Sequence, residues 1–202
     1  MPDADFFKRF GLFVCKDLLN PQVSAELQSE MRSAARSAAT VRKTGSTYGV
    51  DASVRSTNWV RVSDETLLSI ETRLLALKLE LEEHFHLTLA GCSGTQFLAY
   101  KAGDFYVAHR DRTTDPEADS RSTGRQVSVV IFINSESQTP EECSYGGGAL
   151  TFYGLMDVAR GKSLGFPLTG QAGLLVAFLA GLVHEVTPVT HGERYTIVSW
   201  FY

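Results

Sequence analysis

The chain has 202 residues, of which 44% are hydrophobic and 21% are charged, and its formal net charge is −4 at pH 7. This composition is typical of one globular domain with its own core, and the acidic balance argues against a nucleic-acid partner, because phosphate binding normally requires a basic surface. The three cysteines are widely spaced and form no Cys-x-x-Cys pair. They argue against structural zinc and a disulfide framework, and they predict a reducing, cytoplasmic compartment.

The N-terminus gives no sign of export or membrane insertion. Residues Met1 to Asp5 are acidic and lack the basic stretch and apolar core of a secretion signal. The longest apolar run, Ala172 to Val183, is interrupted by glycine and too short to cross a bilayer. We therefore expect no membrane partner.

The first third of the chain predicts a short strand, a helix and a loop. Gly11 to Val14 is expected to form a short edge strand. Asn20 followed by Pro21 is typical of a helix start, with an N-cap and a proline in the first turn. Apolar residues at helical spacing predict that this helix continues to about Thr40. Arg42 to Arg61 is polar and rich in serine, threonine and glycine, and we expect a loop with one or two short strands.

A second helix is predicted by one apolar stripe with steps of three or four residues. Such a stripe is typical of a helix face that packs on a core. Its members are Leu67, Ile70, Leu74, Leu77, Leu81 and Phe85.

After Gly91 the pattern changes to short runs rich in valine, isoleucine, phenylalanine and tyrosine, separated by turn residues. Helices followed by such strands predict an α+β fold with a double-stranded β-helix (jelly-roll) core around a pocket and supporting N-terminal helices. We expect a single domain over residues 1–202, with residues 1–92 as mainly helical support and residues 93–202 as the jelly roll. The polar segment Arg110 to Arg125 is predicted to be a mobile lid.

Among the five histidines, three are poor candidates for a metal site. His84 and His86 stand two residues apart near a helix end, where they would point to nearly opposite sides, and we interpret them as solvated. His191 is predicted to lie exposed in a turn, and the alternative is a contact with substrate or with a metal ligand.

The other two histidines predict a metal centre together with one aspartate. His109 and Asp111 follow a strand-like stretch, and residues i and i+2 of an extended chain face the same side. His184 lies in an apolar strand and supplies a third ligand. Two imidazoles and one carboxylate leave the opposite positions of the metal open, as in the facial triad of non-haem Fe(II) oxygenases.

The competing interpretations of these residues are an ordinary surface histidine, a hydrogen-bonded core histidine and a kinase catalytic loop. The tripeptide His109-Arg110-Asp111 has the same sequence, His-Arg-Asp, as the catalytic loop of protein kinases. The kinase interpretation fails because no asparagine follows at the required spacing and no glycine-rich nucleotide loop precedes it.

Arg194 begins the last predicted strand and completes this pattern. Strand alternation places Thr196 on the same face, beside the guanidinium. A guanidinium holds a carboxylate with two hydrogen bonds, and it is costly to bury without an anion. We therefore expect Arg194 to anchor the far carboxylate of a 2-oxo acid. Fe(II), Asp111, a dianionic 2-oxo acid and Arg194 together carry no net charge, which a partly apolar pocket can accept.

With these residues in place, the chain resembles the Fe(II)/2-oxoglutarate-dependent dioxygenases, and within them the prolyl 4-hydroxylase-like group, over about Thr95 to Tyr202. The resemblance rests on the order, spacing and flanking residues of five segments. They are Phe97 to Asp111, Tyr145 to Phe152, Gly170 to Phe178, His184 to Val189 and Gly192 to Phe201.

The resemblance implies roles for individual residues. His109, Asp111 and His184 correspond to the iron ligands, Arg194 to the 2-oxoglutarate anchor, and Tyr100, assisted by Thr196, to residues that contact the co-substrate. One departure concerns the strand Val130 to Asn134, where some relatives carry a tyrosine. Either Ile131 or Phe132 occupies the corresponding position in this chain. Collagen-type relatives have lysine where this chain has Arg194, and the arginine is more similar to hypoxia-sensing and bacterial prolyl hydroxylases. The implied substrate contacts are Arg55, Trp59 and Tyr106.

The implied function is hydroxylation of an unactivated C–H bond, most simply of a prolyl residue in a peptide or protein, with release of succinate and CO2. The implied cofactors are Fe(II), 2-oxoglutarate and O2, and ascorbate is a candidate reductant.

Two alternatives stay open: the same chemistry on a free amino acid or natural-product small molecule, and a non-catalytic metal-binding relative that acts as an interaction module. A peptide substrate predicts a long groove flanked by residues 42–61 and 110–125, whereas a small substrate predicts a closed pocket. The oligomeric state is left open.

Overall fold

The computed structural model describes residues 4–43, 46–155 and 164–202. The helices are α1 Ala4–Lys8, α2 Pro21–Ser33, α3 Asp64–Ala76, α4 Lys78–Phe85 and α5 Ser120–Gly124. The strands are β1 Phe13–Cys15, β2 Arg36–Ala38, β3 Val41–Arg42, β4 Tyr48–Gly49, β5 Arg55–Ser56, β6 Asn58–Val60, β7 Cys92–Lys101, β8 Phe105–His109, β9 Val127–Phe132, β10 Tyr145–Gly147, β11 Leu150–Tyr153, β12 Gly165–Leu168, β13 Leu175–Leu179, β14 His184–Val186 and β15 Val189–Phe201.

Two antiparallel sheets organise these strands. The larger sheet has the order β1-β13-β9-β15-β7-β6-β2, with β10 paired to β15 beside that path. The smaller sheet has the order β12-β11-β14-β8-β5, and β3 and β4 form a separate hairpin. Because β1 closes one edge of the larger sheet, the predicted edge strand near Gly11 to Val14 is confirmed.

The core lies on both faces of the larger sheet, as strand alternation requires. In β13, Leu175 and Ala177 pack with the helices α2, α3 and α4, whereas Val176 and Phe178 pack with Leu150 and the smaller sheet. Helices therefore cover one face of a two-sheet core, and the predicted α+β jelly roll with supporting helices is confirmed.

The predicted continuation of the first helix to Thr40 is wrong. Asn20 caps α2 as expected, because its side chain accepts a hydrogen bond from the Val23 amide at 2.9 Å. The helix ends at Ser33, since Ala34 is extended with φ −76° and ψ 158°. Residues Arg36–Ala38 then pair with β6 at the edge of the larger sheet. Sheet hydrogen bonds at this edge replace those of another helical turn.

The second helix is confirmed as an amphipathic element, although it is divided at Leu77 into α3 and α4. Ile70, Leu74, Leu77 and Leu81 are buried in the core between the helices and the larger sheet.

Residues 42–61 carry more strand than predicted, because β4, β5 and β6 lie there and β3 ends there. β5 pairs with β8 and β6 pairs with β7, so the N-terminal half supplies strands to both sheets as well as helices. The proposed division of the domain at residue 92 stays a prediction.

The polar segment 110–125 contains α5 and contacts the β3–β4 hairpin. Arg42 forms an ion pair with Asp115 at 2.8 Å, and the Tyr48 hydroxyl donates to Asp119 at 2.5 Å. Its predicted mobility as a lid stays a prediction. Within the described ranges, no helix is long and apolar enough to cross a membrane.

Candidate active site

Three elements bring His109, Asp111 and His184 together. His109 ends β8 and Asp111 follows it, while His184 begins the neighbouring strand β14, directly opposite His109 in the register. Nε2 of His109 lies 3.6 Å from Oδ1 of Asp111, and Nε2 of His184 lies 3.6 Å from Oδ2. The ligand atoms of the three residues all lie within 4.8 Å of one another. Strand pairing thus gathers the three predicted residues at one point.

Both imidazoles are held in the tautomer that a metal ligand needs. Nδ1 of His109 lies 2.9 Å from the Val107 carbonyl oxygen, and Nδ1 of His184 lies 3.0 Å from the Leu182 carbonyl oxygen. Because a carbonyl only accepts, each Nδ1 carries a hydrogen and donates it, and in the uncharged ring this leaves the Nε2 lone pair on the side of Asp111.

The charges of the triad call for a cation. Burial and the neighbouring His109 lower the pKa of His184 to about 4, so this ring is uncharged at neutral pH. Burial raises the pKa of Asp111, but His184, His109 and a hydrogen bond from Ser128 outweigh it and hold the pKa well below its usual range. The uncharged His184 ring and the ionised Asp111 carboxylate therefore offer lone pairs beside the His109 ring, and the three side chains form a donor set of two imidazoles and one carboxylate. This donor set fits Fe(II).

The loop around Asp111 is fixed by several hydrogen bonds. The Ser128 hydroxyl on β9 donates to Oδ2 of Asp111 at 2.7 Å. The Asp111 amide donates to the Ala180 carbonyl at 3.0 Å, which ties this loop to the one that precedes His184. The Tyr106 ring stacks on His109 with 3.6 Å between ring centroids.

Arg194 lines the same cavity as the triad and forms no ion pair with the described residues, although it lies near enough to Glu136 to oppose the rise in the pKa of that carboxyl group that burial causes. Arg194 is 1% exposed, and it lies opposite Tyr100 in the pairing of β15 with β7. Nη1 donates to the Thr196 hydroxyl at 3.2 Å, as strand alternation predicted. Nε and Nη2 are buried and have no hydrogen-bond partner among the described residues. Since burying an unpaired guanidinium is costly, this position fits an anionic ligand.

Tyr145 belongs to the same site, although the sequence reasoning gave it no role. Its buried hydroxyl has no hydrogen-bond partner within the described part of the chain, and its ring centroid lies 6.0 Å from the Arg194 guanidinium carbon. β10 carries it there by pairing with β15. The sequence signal was the tyrosine that precedes three glycines.

Gly148 explains why this segment can approach Arg194 so closely. A Cβ on Gly148 would lie 2.8 Å from Cδ of Arg194, and the backbone has φ +62°, which favours glycine. The glycine-rich segment therefore forms part of the wall around the guanidinium.

One narrow cavity of about 40 Å³ connects these groups. The predicted residues that line it are His109, Asp111, His184, Arg194, Tyr100, Thr196, Arg55 and Tyr106. Trp59 lies elsewhere, on an adjoining groove of about 550 Å³ that shares Arg55 and Trp200 with the cavity. Its indole nitrogen donates to Gln96 at 3.1 Å.

The remaining histidines do not join the triad. His86 is exposed and caps α4 in the left-handed conformation, as a solvated helix end predicts. The solvated interpretation of His84 is wrong, because its partly buried ring packs against Phe13 at 5.4 Å. The expectation of an exposed turn is also wrong for His191, which lies within β15, partly buried against Gly146.

Comparison of the sequence with known proteins identifies the family. The model of the 2OG-Fe(II) oxygenase superfamily matches residues 95–202. A PKHD-type hydroxylase from Hyphomonas neptunium (strain ATCC 15444) is 31% identical over 163 residues, which cover 80% of this chain and 62% of that protein. The match therefore spans less than two thirds of the length of this relative.

Solved structures share the fold. A prolyl-4-hydroxylase from Pseudomonas putida has a TM-score of 0.66 and 24% identity, with 98% of this chain and 96% of that chain covered. A Trichoplax adhaerens prolyl hydroxylase in complex with a hypoxia inducible factor peptide fragment has a TM-score of 0.66 and 19% identity, with 98% and 86% covered. The epimerase SnoN from nogalamycin biosynthesis has a TM-score of 0.61 and 17% identity, with 98% and 80% covered. Since the family model matches more than half of the residues and the jelly-roll fold agrees, the chain belongs to the 2OG-Fe(II) oxygenase superfamily.

Proposed function

We propose that the protein is a 2-oxoglutarate-dependent dioxygenase that hydroxylates an unactivated C–H bond of a prolyl residue in a peptide or protein and releases succinate and CO2. The family depends on Fe(II), 2-oxoglutarate and O2. The observation that carries the proposal is the pairing of two features in one cavity, a triad that needs a cation and a buried arginine that needs an anion.

The triad supplies the metal position. His109, Asp111 and His184 would hold Fe(II) through two Nε2 atoms and a carboxylate oxygen and leave the other side of the ion open. When bound, the iron supplies O2 activation that is coupled to oxidative decarboxylation of 2-oxoglutarate. Ser128 holds the Asp111 carboxylate at 2.7 Å and so maintains the orientation of this ligand.

Arg194 and its neighbours supply the co-substrate position. The free Nε and Nη2 of Arg194 would donate to the far carboxylate of 2-oxoglutarate, with the Tyr145 hydroxyl as a further donor. On β9, Phe132 has no hydroxyl, and its ring centroid lies 5.1 Å from the guanidinium carbon of Arg194. Tyr145 on β10 thereby provides the phenol that β9 lacks. Tyr100 and Phe132 cover the guanidinium faces and exclude water from the anchor.

The shape of the surface supports a peptide as the substrate. The cavity at the triad is about 40 Å³, so it leaves little room for a bulky substrate, whereas the adjoining groove is about 550 Å³. The lining of this groove includes residues of both segments that a peptide substrate predicted, Ser46, Tyr48, Arg55 and Trp59 from 42–61 and Asp119, Ser120, Arg121 and Arg125 from 110–125. The small-molecule alternative predicted a closed pocket instead. A complete triad with an unpaired arginine disfavours a non-catalytic interaction module.

The decisive experiment combines spectroscopy with product analysis. Under anaerobic conditions, Fe(II) and 2-oxoglutarate are expected to give a visible metal-to-ligand charge-transfer band, and with O2 the protein is expected to form succinate. Asp111→Ala should lose both signals, and Glu83→Gln, an exposed change on α4, should keep both. Folded wild-type protein without the band would refute the co-substrate assignment. A screen of prolyl peptides and free amino acids by mass spectrometry, for a gain of one oxygen, then tests the substrate class.

A further inference from the structure

The groove contains buried donors that no group of the described residues satisfies. Arg55 is 8% exposed and Trp200 is 6% exposed, and both line the groove as well as the triad cavity. The Arg125 guanidinium lies over the Trp200 ring, 3.7 Å from the centroid. Nε of Arg55, Nε of Arg125 and Nε1 of Trp200 are buried without a hydrogen-bond partner among the described residues. Each of these nitrogens can only donate, so the position lacks acceptors.

Other contacts hold these side chains in place. Nη1 of Arg55 donates to the Thr40 carbonyl at 3.4 Å, and its guanidinium lies 4.9 Å from the Tyr106 ring centroid. Nη1 of Arg125 donates to the Asp111 carbonyl at 3.2 Å. Because both arginines are already positioned by the residues around the triad, their remaining donors form a preorganised group at the entrance to the cavity.

The charge of the groove points in the same direction. Its described lining includes the three arginines Arg55, Arg121 and Arg125 and a single acidic residue, Asp119. The Asp119 carboxylate already accepts from the Tyr48 hydroxyl and from the Ser122 amide. A positive groove in a chain of net charge −4 favours an anionic partner at this surface.

We propose that the substrate is an acidic peptide segment, and that a carboxylate next to the target residue binds Arg55, Arg125 and Trp200. This inference rests on the proposed function, because it assigns the part of the substrate that enters beside the triad. A carboxylate at this position would offer acceptors to these unpaired donors and set the register of the peptide in the groove. Arg125 and Trp200 are thus specificity-determining residues.

The two tryptophans of the chain give a direct readout of this groove. Both Trp59 and Trp200 line it, so intrinsic fluorescence reports its occupancy without turnover. The probes are an acetylated, amidated peptide with proline between two glutamates, the same peptide with glutamines, and free glutamate. Binding is measured anaerobically with Fe(II) and 2-oxoglutarate present. The acidic peptide is expected to bind at least about 10-fold more tightly than its neutral counterpart, with a preference that weakens as salt increases.

Three variants test the assigned residues. Arg125→Gln should abolish the preference for the acidic peptide, and Trp200→Phe, which keeps an aromatic ring but removes Nε1, should reduce it while Trp59 still reports. Arg73→Gln removes the same charge from the exposed side of α3 and should keep the preference. Equal binding of the acidic and neutral peptides would overturn the proposal, and so would free glutamate binding as tightly as the acidic peptide.

The charge-transfer band separates this inference from the proposed function. A band without any preference for the acidic peptide overturns the substrate assignment alone. A preference for the acidic peptide without a band overturns the dioxygenase assignment and leaves the acidic-peptide site in place.

Discussion

At the scale of single residues, the three proposed metal ligands are held in place by neighbouring groups outside the triad. His109 and His184 each donate Nδ1–H to the carbonyl two residues earlier, Val107 and Leu182. The same local geometry therefore sets both tautomers. Asp111 has no such local support and depends on Ser128 from β9.

Ser128→Ala should weaken metal binding by about 10-fold, since losing a hydrogen bond to a ligating carboxylate typically costs this much or more. Ser128 is buried and donates to Asp111 at 2.7 Å, so the substitution leaves the carboxylate free to turn. Titration of metal-free protein with Fe(II) under anaerobic conditions measures the effect. Ser24→Ala is the matched control, because Ser24 is a buried serine on α2 without a hydrogen-bond partner in the described chain. Unchanged affinity in Ser128→Ala would exclude this supporting role.

Arg194→Met should stabilise the ligand-free protein and remove its affinity for 2-oxoglutarate. The buried guanidinium has two unpaired nitrogens, so an apolar side chain of similar length relieves its desolvation cost, by about 1 kcal/mol or more. Urea unfolding with and without 2-oxoglutarate measures both effects, because a ligand stabilises only a protein that binds it. The wild type should gain stability from 2-oxoglutarate and the variant should not. A variant that gains as much as the wild type would contradict the anchor role.

Tyr145→Phe should raise the dissociation constant for 2-oxoglutarate by roughly 10-fold, which corresponds to one hydrogen bond to a charged group. Burial raises the pKa of Tyr145 to about 12, so the hydroxyl stays protonated and can donate. Tyr153→Phe removes a hydroxyl that donates to Glu185 instead and serves as the control. If both variants bind 2-oxoglutarate as the wild type does, Tyr145 is only a packing residue.

At the scale of elements, the short strand β10 brings Tyr145 to the proposed 2-oxoglutarate anchor Arg194. It pairs with β15 through Tyr145↔Gly192 and Gly146↔His191, and its register shifts before Gly147. The glycines Gly146 and Gly147 let β10 lie close to residues 188–191, and Gly148, which follows the strand, lies against Arg194. The glycine-rich segment Tyr145 to Gly148 resembles a flexible loop in sequence, but in the structure it forms part of the wall around the Arg194 guanidinium.

Gly148→Ala should destabilise the protein by about 1–2 kcal/mol, because a residue with Cβ is strained at φ +62°. It should also weaken 2-oxoglutarate binding, since the new Cβ would lie 2.8 Å from Cδ of Arg194. Chemical unfolding and 2-oxoglutarate titration measure the two effects separately. Gly91→Ala is the control, because a Cβ there meets nothing within 4 Å. Equal behaviour of the two variants would show that the wall does not constrain Arg194.

At the scale of the whole molecule, carboxylates link elements that are distant in the sequence. Glu30 on α2 accepts from the Ser63 amide and from the Thr66 hydroxyl, both at 2.7 Å, and so links α2 to the start of α3. Burial is the largest single effect and raises its pKa, but the hydrogen bonds from Ser63 and Thr66 together outweigh burial and lower the pKa from 4.5. Glu193 is lowered in the same way, mainly by its hydrogen bond from Arg36.

Acid should therefore destabilise the protein, and Glu30→Gln should remove part of this effect. Because the pKa of Glu30 is lower in the folded state than in the unfolded chain, its stabilisation is fully present above about pH 4.5 and is lost as the pH falls through the folded pKa. Urea unfolding at pH 7 and at pH 4 measures the loss. Glu30→Gln should lose less stability on acidification than the wild type, whereas Glu83→Gln should follow the wild type. An identical pH dependence in all three proteins would refute the role of Glu30.

The sequence by itself determined the features that depend on local backbone periodicity. Alternation in a strand joined Arg194 to Thr196, the two-residue spacing joined His109 at the end of β8 to Asp111 in the loop that follows, and the helical stripe identified the face that α3 and α4 bury. These relations need only neighbouring residues along one element, so they can be read without knowing the fold.

Tertiary structure alone decided which distant elements meet. The pairing of β10 with β15 brought Tyr145 to Arg194, and the close approach of Arg125 to Trp200 created the donor group at the groove. The same kind of pairing, between residues Arg36–Ala38 and β6, ended α2 before Thr40. Such contacts depend on strand order and on competition between hydrogen-bonding partners far apart in the chain, which local periodicity does not encode.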